Sequence, residues 1–366
     1  MWKYSNPVKI IFSERLTEGI IPIIRDKNKI LIICSQRFTK TEDYNNLTKG
    51  QDRYTIFMDI ENNPSFSSCQ KAINHVKDLK PDTIIAIGGG SVLDTAKAAR
   101  MAYYKSCYDI EKLFNNENIP VTKPLFIAIP TNHGTSSELT MWATIWDKKN
   151  NKKYSLSEFD NYPDYAIYDV NLINSLPVVE SLTSVLDALS HSFESLWNKN
   201  SNPISDLFAI EAIKLIIQNI SKLNNQTTID VRKNLLTASI YAGLAFSNTK
   251  TAAAHSISYP LSLYFNIPHG IACSMPLFPL LKINQNTIQY KIDNLLNILR
   301  LNNIEELWRD VLNSVISKIP FTLQEFGVKK SDINWLVDMS FTKDRMANNI
   351  VNLNKNDVYN ILKDIY

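Results

Sequence analysis

The chain has 366 residues, a formal net charge of +3 and a hydrophobic content of 45%. This length exceeds the usual size of one domain, so two domains are expected. Lysines and arginines are scattered rather than clustered, which argues against nucleic acid as a partner. The apolar runs are no longer than a strand, and no apolar segment follows Met1, so we expect neither a membrane span nor a signal peptide. Four cysteines without paired spacing indicate a reducing, cytoplasmic location.

The predicted elements change in kind along the chain. In the first half, β-branched runs and helix-period segments alternate, which is typical of a parallel α/β sheet. Strands are predicted at 29–34, 53–60, 82–87 and 124–130, and helices at 67–79 and 91–103. Beyond Pro177 strand signals nearly vanish, and helices are predicted at 182–198, 203–220, 231–246, 251–264 and 287–301. The sequence therefore predicts an α/β domain over 1–177 and an all-α domain over 178–366.

Three of the nine glycines stand together where the strand at 82–87 ends and a helix begins. Glycine lets the backbone approach a pyrophosphate closely, and helix N-terminal amides point toward phosphate oxygens. The glycines Gly88, Gly89 and Gly90 do not match the G-x-G-x-x-G fingerprint, and a tight turn without a ligand is the alternative. We interpret this turn as a phosphate site for a dinucleotide.

A second turn, rich in hydroxyl and amide groups, follows the predicted strand at 124–130. Its side chains can bond phosphate or ribose, and His133 in the same turn is placed to touch cofactor or substrate. Two such turns at the ends of parallel strands suit a dinucleotide that lies across the edge of the sheet.

Three of the five histidines lie in the helical half in contexts that favour metal binding. Asp187 and His191 are spaced i, i+4, which stacks both side chains on one helix face. His255 follows three alanines, and His269 lies in a tight proline–glycine bend. One carboxylate and three imidazoles form a tetrahedral or five-coordinate site with room for one substrate oxygen. Chance spacing is the alternative, and His75, on a polar helix face, is an example of an ordinary solvated histidine.

At these residues the sequence resembles the iron-containing (group III) alcohol dehydrogenase family, over essentially the whole chain. The glycine turn, the second turn and the four metal candidates occur in the family's order. The resemblance implies a dehydroquinate-synthase-like fold, with an N-terminal nucleotide-binding domain, a C-terminal helical domain and a cleft between them. It also implies Fe(II) or Zn(II) held by Asp187, His191, His255 and His269, NADPH or NADH as the hydride donor, and a homodimer.

The resemblance assigns further roles. The metal polarises the aldehyde, the nicotinamide delivers hydride to carbon, and a proton arrives through water, with Tyr259 or a ribose hydroxyl as relay. His269 and Tyr259 are thus the catalytic candidates. Many relatives carry a histidine in the place of Tyr259, and a phenol, with a pKa of about 10, is a poorer shuttle at neutral pH. Cofactor contacts are expected from Ser35, Arg37, Gly88, Gly89, Gly90, Ser91, Asp94, Thr131, Asn132, Thr135 and Lys153.

Two residues after the first predicted strand bear on the choice of cofactor. An acidic residue there selects against the 2′-phosphate of NADP. Ser35 stands where NAD-preferring relatives often place Asp, and Arg37 can pair with a phosphate. We therefore expect NADPH to be used at least as well as NADH, unless Arg37 is only a surface charge.

A narrower resemblance, to the phosphonoacetaldehyde reductase (2-hydroxyethylphosphonate dehydrogenase) branch, is carried by residues 2–10, 143–147, 152–156, 162–167 and 195–205. It implies reduction of phosphonoacetaldehyde to 2-hydroxyethylphosphonate. A phosphonate needs cations, and the substrate candidates are His133, Lys152 and Lys250.

Three alternatives stay open. The first is a general short-chain alcohol dehydrogenase or lactaldehyde-type reductase of the same family. The second is a dehydroquinate-synthase-like lyase, whose lysine and arginine pattern we do not find. The third is a non-catalytic metal-binding or scaffold protein, against which the joint presence of four metal candidates and two cofactor turns argues.

Overall fold

The computed structural model describes residues 1–114, 122–150 and 152–366, and its contacts divide the chain into two compact units. The α/β unit comprises Pro7–Asn132 and Ser136–Ser175. The helical unit comprises Met1–Asn6, His133–Thr135 and Leu176–Tyr366. Hydrophobic periodicity cannot show that Met1–Asn6 and His133–Thr135 group with the helices, because it reports local structure only.

The α/β unit is built on a six-stranded parallel sheet in the order β1-β8-β5-β4-β2-β3, with β6 and β7 paired as a separate antiparallel hairpin. Its strands are β1 (Lys9–Ser13), β2 (Ile30–Cys34), β3 (Tyr54–Phe57), β4 (Thr83–Gly88), β5 (Leu125–Pro130), β6 (Trp142–Asp147), β7 (Lys152–Ser157) and β8 (Tyr165–Asp169). Its helices are α1 (Leu16–Ile24), α2 (Glu42–Thr48), α3 (Phe66–Leu79), α4 (Gly90–Tyr104), α5 (Ile110–Leu113) and α6 (Asn171–Asn174).

The central strands of the sheet are apolar on both faces. In β4, Ile85 and Ile87 enter one core cluster, whereas Ile84 and Ala86 enter the cluster on the other face. Because both faces of a parallel sheet are covered, such strands are near-continuous apolar runs rather than alternating ones. This is why the sequence predicted β2, β4 and β5 correctly.

The outer elements were harder to predict. A strand was predicted at 53–60, but the observed strand β3 ends at Phe57. Strands β1 and β8 were not predicted. Strand β1 is at an edge of the sheet, and Ile10 and Phe12 within it are each 40% exposed. A short edge strand lacks the continuous burial that produces a strong apolar run.

The helical unit contains eleven α-helices in the part of the chain that the structure describes. They are α7 (Val178–Leu196), α8 (Pro203–Ile220), α9 (Ile229–Thr249), α10 (Ala253–Phe265), α11 (His269–Ser274), α12 (Leu277–Asn284), α13 (Gln289–Leu299), α14 (Ile304–Val315), α15 (Ile333–Met339), α16 (Lys343–Met346) and α17 (Lys355–Asp364). None of the helices among the described residues is both long and apolar enough to cross a membrane.

Helix α7 is the centre of this unit and packs against α8, α9 and α11. Nearly all of its residues are buried, so its polar side chains must find partners inside the protein. Its serines do so locally. Ser190, Ser192 and Ser195 donate to the backbone carbonyl oxygens of the residues four positions earlier, at 2.8–2.9 Å. The helix therefore holds its remaining polar groups, a carboxylate and an imidazole among them, in a closely packed setting.

Candidate active site

Three imidazoles converge on one carboxylate in the helical unit. The Nε2 atoms of His191, His255 and His269 lie 3.8, 3.6 and 3.9 Å from Oδ1 of Asp187. These residues come from α7, α10 and α11, and all four were predicted as metal ligands. The structure thus brings the predicted set together within one unit.

These distances fit a divalent metal better than hydrogen bonds. They exceed the usual 2.7–3.2 Å of an N–H···O bond by a clear margin. Two ligand atoms that are each about 2.1 Å from one ion are separated by roughly 3.4 Å at a tetrahedral angle. Nε2 of His255 is buried and has no hydrogen-bond partner among the described residues. A buried nitrogen without a partner, aimed at a carboxylate, is accounted for by an ion between them.

The charges of the site suit a metal as well. Burial by itself would raise the pKa of the Asp187 carboxyl, but the three imidazoles outweigh it and lower that pKa. Burial lowers the pKa of His191 to about 4, so its imidazole is neutral at physiological pH. An ionised carboxylate and a neutral imidazole are the forms that bind metal.

Glu194, which sequence reasoning missed, orients His255. The Glu194 carboxylate is fully buried and accepts hydrogen bonds from Nδ1 of His255 at 2.5 Å and from its backbone N–H at 3.1 Å. With Nδ1 donating to Glu194, Nε2 carries the lone pair that faces Asp187. Burial would lower the pKa of His255, but the Glu194 carboxylate raises it. The signal was present in the sequence, since Glu194 follows Asp187 by seven residues and so lies on the same helix face.

His191 is held by stacking. Its ring lies 3.9 Å from the ring of Phe246, with an angle of 6° between the planes, and 4.7 Å from the ring of His255. Phe246 comes from α9, so three helices fix the plane of this imidazole. A side chain locked by packing keeps its nitrogen in place without a metal, which favours binding.

Glycine allows α11 to approach α7. A Cβ added at Gly270 would lie 1.9 Å from the backbone oxygen of Thr183 and 3.2 Å from Cβ of Asp187. His269 immediately precedes Gly270, so this contact sets the position of His269 relative to Asp187. Gly134 makes a similar approach, since a Cβ there would lie 2.1 Å from the backbone oxygen of Ser184. Both bends lie against the same turn of α7.

One side of the site is more open than the others. The side chain of His269 is 39% exposed, whereas those of Asp187, His191 and His255 are at most 6% exposed. Access for a substrate oxygen is therefore expected from the side of His269. Tyr259 is half-buried, one helical turn beyond His255 on α10, and its ring packs against the guanidinium of Arg345.

Cys273 is a second residue that the sequence reasoning missed. Its Sγ lies 3.5 Å from Oδ1 of Asp187, and it follows His269 by four residues on α11. The possible ligand atoms of Asp187, His255, His269 and Cys273 all lie within 4.8 Å of one another. Burial raises the pKa of the Cys273 thiol well above its ordinary value, so the thiol is protonated and donates to the carboxylate. The helical spacing from His269 was the available signal.

In the α/β unit the predicted cofactor turns lie side by side. Gly88 and Pro130 are paired in the register of β4 and β5, and the Thr131 N–H donates to the Gly88 carbonyl at 3.1 Å. A Cβ at Gly89 would lie 2.9 Å from Nδ2 of Asn132. Helix α4 begins at Gly90, so the glycine turn presents the N-terminus of a 15-residue helix. The Ser91 hydroxyl accepts a hydrogen bond from the Asn63 N–H at 3.2 Å.

The side chains of Asp94 and Lys97, both on α4, form hydrogen bonds to the segment that follows the second turn. The Asp94 carboxylate accepts the Ser137 hydroxyl at 2.7 Å and the Thr144 N–H at 2.8 Å. Nζ of the fully buried Lys97 donates to the backbone oxygens of Ser137 at 2.6 Å and Trp142 at 2.7 Å. Burial lowers the pKa of Lys97 to about 8. Through its two bonds Asp94 helps to position the second turn.

The remaining cofactor candidates are distributed over both units. The Ser35 N–H lies 3.4 Å from the Ile87 carbonyl, beside the glycine turn. Arg37 is exposed, and its guanidinium donates to the Ser175 carbonyl at 2.6 Å and to the Ser175 hydroxyl. Lys153 is half-buried on β7, with Nζ 5.1 Å from the centre of the Trp146 ring. Thr135 belongs to the helical unit, and its buried hydroxyl has no hydrogen-bond partner among the described residues.

The three substrate candidates lie in different local settings. Lys152 is exposed on β7 in the α/β unit. Lys250 is exposed between α9 and α10, in a backbone conformation (φ 66°) that is strained for a residue with a side chain. His133 is fully buried, with Nδ1 3.2 Å from the Ser184 hydroxyl, and burial lowers its pKa to about 4. His133 is therefore uncharged at neutral pH and supplies no cation for a phosphonate.

A parallel α/β unit with a glycine turn at the start of α4, and a helical unit in which three imidazoles face one carboxylate, are typical of a two-domain, metal-dependent nucleotide-binding enzyme. Residues 7–170 match the family model for iron-containing alcohol dehydrogenases, and residues 181–366 match the model for the C-terminal part of the Fe-containing alcohol dehydrogenase family. The chain belongs to the iron-containing alcohol dehydrogenase family.

Individual relatives agree with this assignment. The chain is 30% identical over 324 residues to the NADPH-dependent butanol dehydrogenase of Clostridium saccharobutylicum, covering 84% of this chain and 82% of that protein. It is 31% identical over 318 residues to the sulfoacetaldehyde reductase of Bilophila wadsworthia, covering 83% and 81%. The structure of the Bifidobacterium kashiwanohense sulfoacetaldehyde reductase in complex with NAD+ superimposes with a TM-score of 0.89 at 24% identity, covering 100% of this chain and 98% of that one. The predicted fold class is thereby confirmed.

Proposed function

We propose that this enzyme uses NADPH or NADH to reduce phosphonoacetaldehyde to 2-hydroxyethylphosphonate. The observation that carries the redox chemistry is the convergence of three imidazole Nε2 atoms on Oδ1 of Asp187. The anionic substrate is supported by segments that resemble the phosphonoacetaldehyde reductase branch and by the sulfoacetaldehyde reductase relative, which acts on an aldehyde with a similar oxyanion group.

The residues of the centre have two kinds of role, metal binding and orientation of the metal ligands. Asp187, His191, His255 and His269 would hold Fe(II) or Zn(II), which when bound polarises a carbonyl group as a Lewis acid. Glu194 fixes the tautomer of His255, and Phe246 fixes the plane of His191.

Further roles are proposed outside the metal ligands. The exposed side of His269 admits the aldehyde, and the hydroxyl of Tyr259 relays the proton that the product alcohol requires. The two turns of the α/β unit would bind the cofactor, with the α4 N-terminus facing its phosphates.

A comparison of aldehydes tests the substrate. On protein of known metal content, we expect kcat/KM for phosphonoacetaldehyde to exceed that for acetaldehyde by about 10- to 100-fold, the effect of one charge-assisted contact. Oxidation of NADPH would be followed at saturating cofactor. Equal or higher kcat/KM for acetaldehyde and butanal would instead favour a general short-chain alcohol dehydrogenase, the activity in the name of the butanol dehydrogenase relative.

The cofactor preference follows from Ser35 and Arg37. We expect kcat/KM for NADPH to equal or exceed that for NADH, because no carboxylate stands at position 35 to repel the 2′-phosphate. Substitution of Arg37 by alanine should lower kcat/KM for NADPH about tenfold and leave that for NADH unchanged, since the exchange removes one cation near the phosphate. Lys40→Ala, which removes an exposed cation three residues away, is the matched control. A strong preference of the wild-type enzyme for NADH contradicts this prediction.

We also propose that the partner is a small-molecule aldehyde or alcohol rather than nucleic acid or a membrane. We further propose a cytoplasmic location and a homodimeric assembly.

A further inference from the structure

A half-buried arginine, Arg345, lies against Tyr259 on α10, the helix that also carries His255. Nε of Arg345, on α16, donates to the Thr251 hydroxyl at 3.1 Å, and its guanidinium carbon lies 4.5 Å from the centre of the Tyr259 ring. Within the part of the chain that the structure describes, no carboxylate forms an ion pair with this guanidinium. Arginines withdrawn from solvent are usually paired with an anion, so this one has unused binding capacity.

The nearby carboxylate does not neutralise Arg345. Glu194 acts on Arg345 electrostatically, but both of its oxygens already accept hydrogen bonds from His255. Burial lowers the pKa of Arg345 to about 10, which leaves it charged at neutral pH. A positive charge thus persists within electrostatic reach of Glu194, the carboxylate that orients His255.

The arginine is also held in place before any ligand binds. The Ser256 hydroxyl donates to the Ser340 carbonyl at 2.6 Å and accepts the Thr342 N–H at 3.0 Å. On the other side of Arg345, Nδ2 of Asn348 donates to the Thr251 carbonyl at 2.9 Å. These bonds attach the segment around α16 to the start of α10, the helix that carries His255. A cation fixed in this way loses little conformational entropy on binding.

We propose that Arg345 binds the anionic group of the substrate, a phosphonate or sulfonate, while the aldehyde end lies at the metal centre. The inference rests on the proposed reduction of an anionic aldehyde. Tyr259, over which the Arg345 guanidinium lies, is one helical turn, a rise of about 6 Å, from His255 on α10. A planar guanidinium binds such a tetrahedral oxyanion through two parallel N–H donors. Stacking on the Tyr259 ring leaves the edge of the guanidinium available for these donors.

The test is the ratio of kcat/KM for phosphonoacetaldehyde to kcat/KM for butanal, measured on metal-loaded enzyme. Arg345→Gln should lower this ratio about 30-fold, the effect of losing a charge-assisted bidentate contact. Arg345→Lys, which keeps the charge but not the planar donors, should show a smaller loss. Thr251→Val, which removes the acceptor for Nε, should shift the ratio in the same direction by a few-fold. Lys355→Gln removes an exposed cation elsewhere in the helical unit and should leave the ratio unchanged.

A binding measurement accompanies the kinetics. The dissociation constant of ethylphosphonate, measured by calorimetry, should rise about 30-fold in Arg345→Gln while the metal content stays the same. If wild-type enzyme prefers phosphonoacetaldehyde and Arg345→Gln leaves the ratio unchanged, the role of Arg345 is rejected and the proposed function stands. If wild-type enzyme reduces butanal and shows no preference for the anionic aldehyde, the proposed substrate is rejected together with the role of Arg345.

Discussion

Replacement of His255 by alanine is expected to abolish metal retention and aldehyde reduction together. The change removes one of the three nitrogens that face Asp187, and it takes from Glu194 the imidazole N–H that it accepts at 2.5 Å. A metal contributes several kcal/mol to stabilising charge in the transition state, so turnover should fall by roughly a thousandfold or more. Metal analysis after dialysis and the rate of NADPH oxidation on the same sample measure the two effects.

His255→Ala also removes a partner from a buried carboxylate, which destabilises a protein by about 3–5 kcal/mol. A second variant separates loss of metal from loss of fold. His269 is 39% exposed, so His269→Ala should leave the protein folded and still release the metal. His75→Ala is the matched control, because His75 is exposed on α3 in the α/β unit. Retention of both metal and activity in His269→Ala would show that the site is assigned wrongly.

Gly270→Ala is expected to displace His269 although every metal ligand is still present. The added Cβ would lie 1.9 Å from the Thr183 backbone oxygen and 2.9 Å from the Thr183 backbone carbon, which cannot move aside as the end of a flexible side chain could. Helix α11 must therefore shift away from α7. Overpacking of this kind destabilises by about 1–3 kcal/mol, and loss of ligand orientation weakens metal affinity by about 10- to 100-fold.

The measurement is metal affinity by chelator competition, with the melting temperature recorded alongside. Gly19→Ala is the matched control, since it adds the same methyl group within a helix of the α/β unit. There the nearest atom, at 3.0 Å, belongs to the side chain of Ile167, which can adjust. If Gly270→Ala bound metal as tightly as the wild type, the close approach of α11 to α7 would not be what positions His269.

Elements with a local signal in the sequence were predicted more accurately than elements that depend on contacts between distant residues. The bounds of strand β4 and helix α4 were predicted to within about a residue. Both elements have a local signal, a continuous run of apolar residues and then a glycine turn, in consecutive positions of the sequence. Strand β1 was missed because it lies at the edge of the sheet and is partly exposed, so its sequence has no continuous apolar run. Strand β8, which pairs with β1 and β5, was missed as well. The i, i+4 spacing of Asp187 and His191 predicted one shared helix face, which α7 has.

The sequence alone determined the family, the fold class and the four candidate metal ligands, because each is encoded in residue types and short spacings. Only the tertiary structure decided which groups support those ligands. Glu194 orients His255 and Phe246 stacks on His191, while Arg345 lies over Tyr259 outside the ligand set. All three are contacts between separate helices, so they depend on how the helices pack. The structure likewise decided that His133 is buried and neutral, since its charge depends on solvent that surrounding helices exclude.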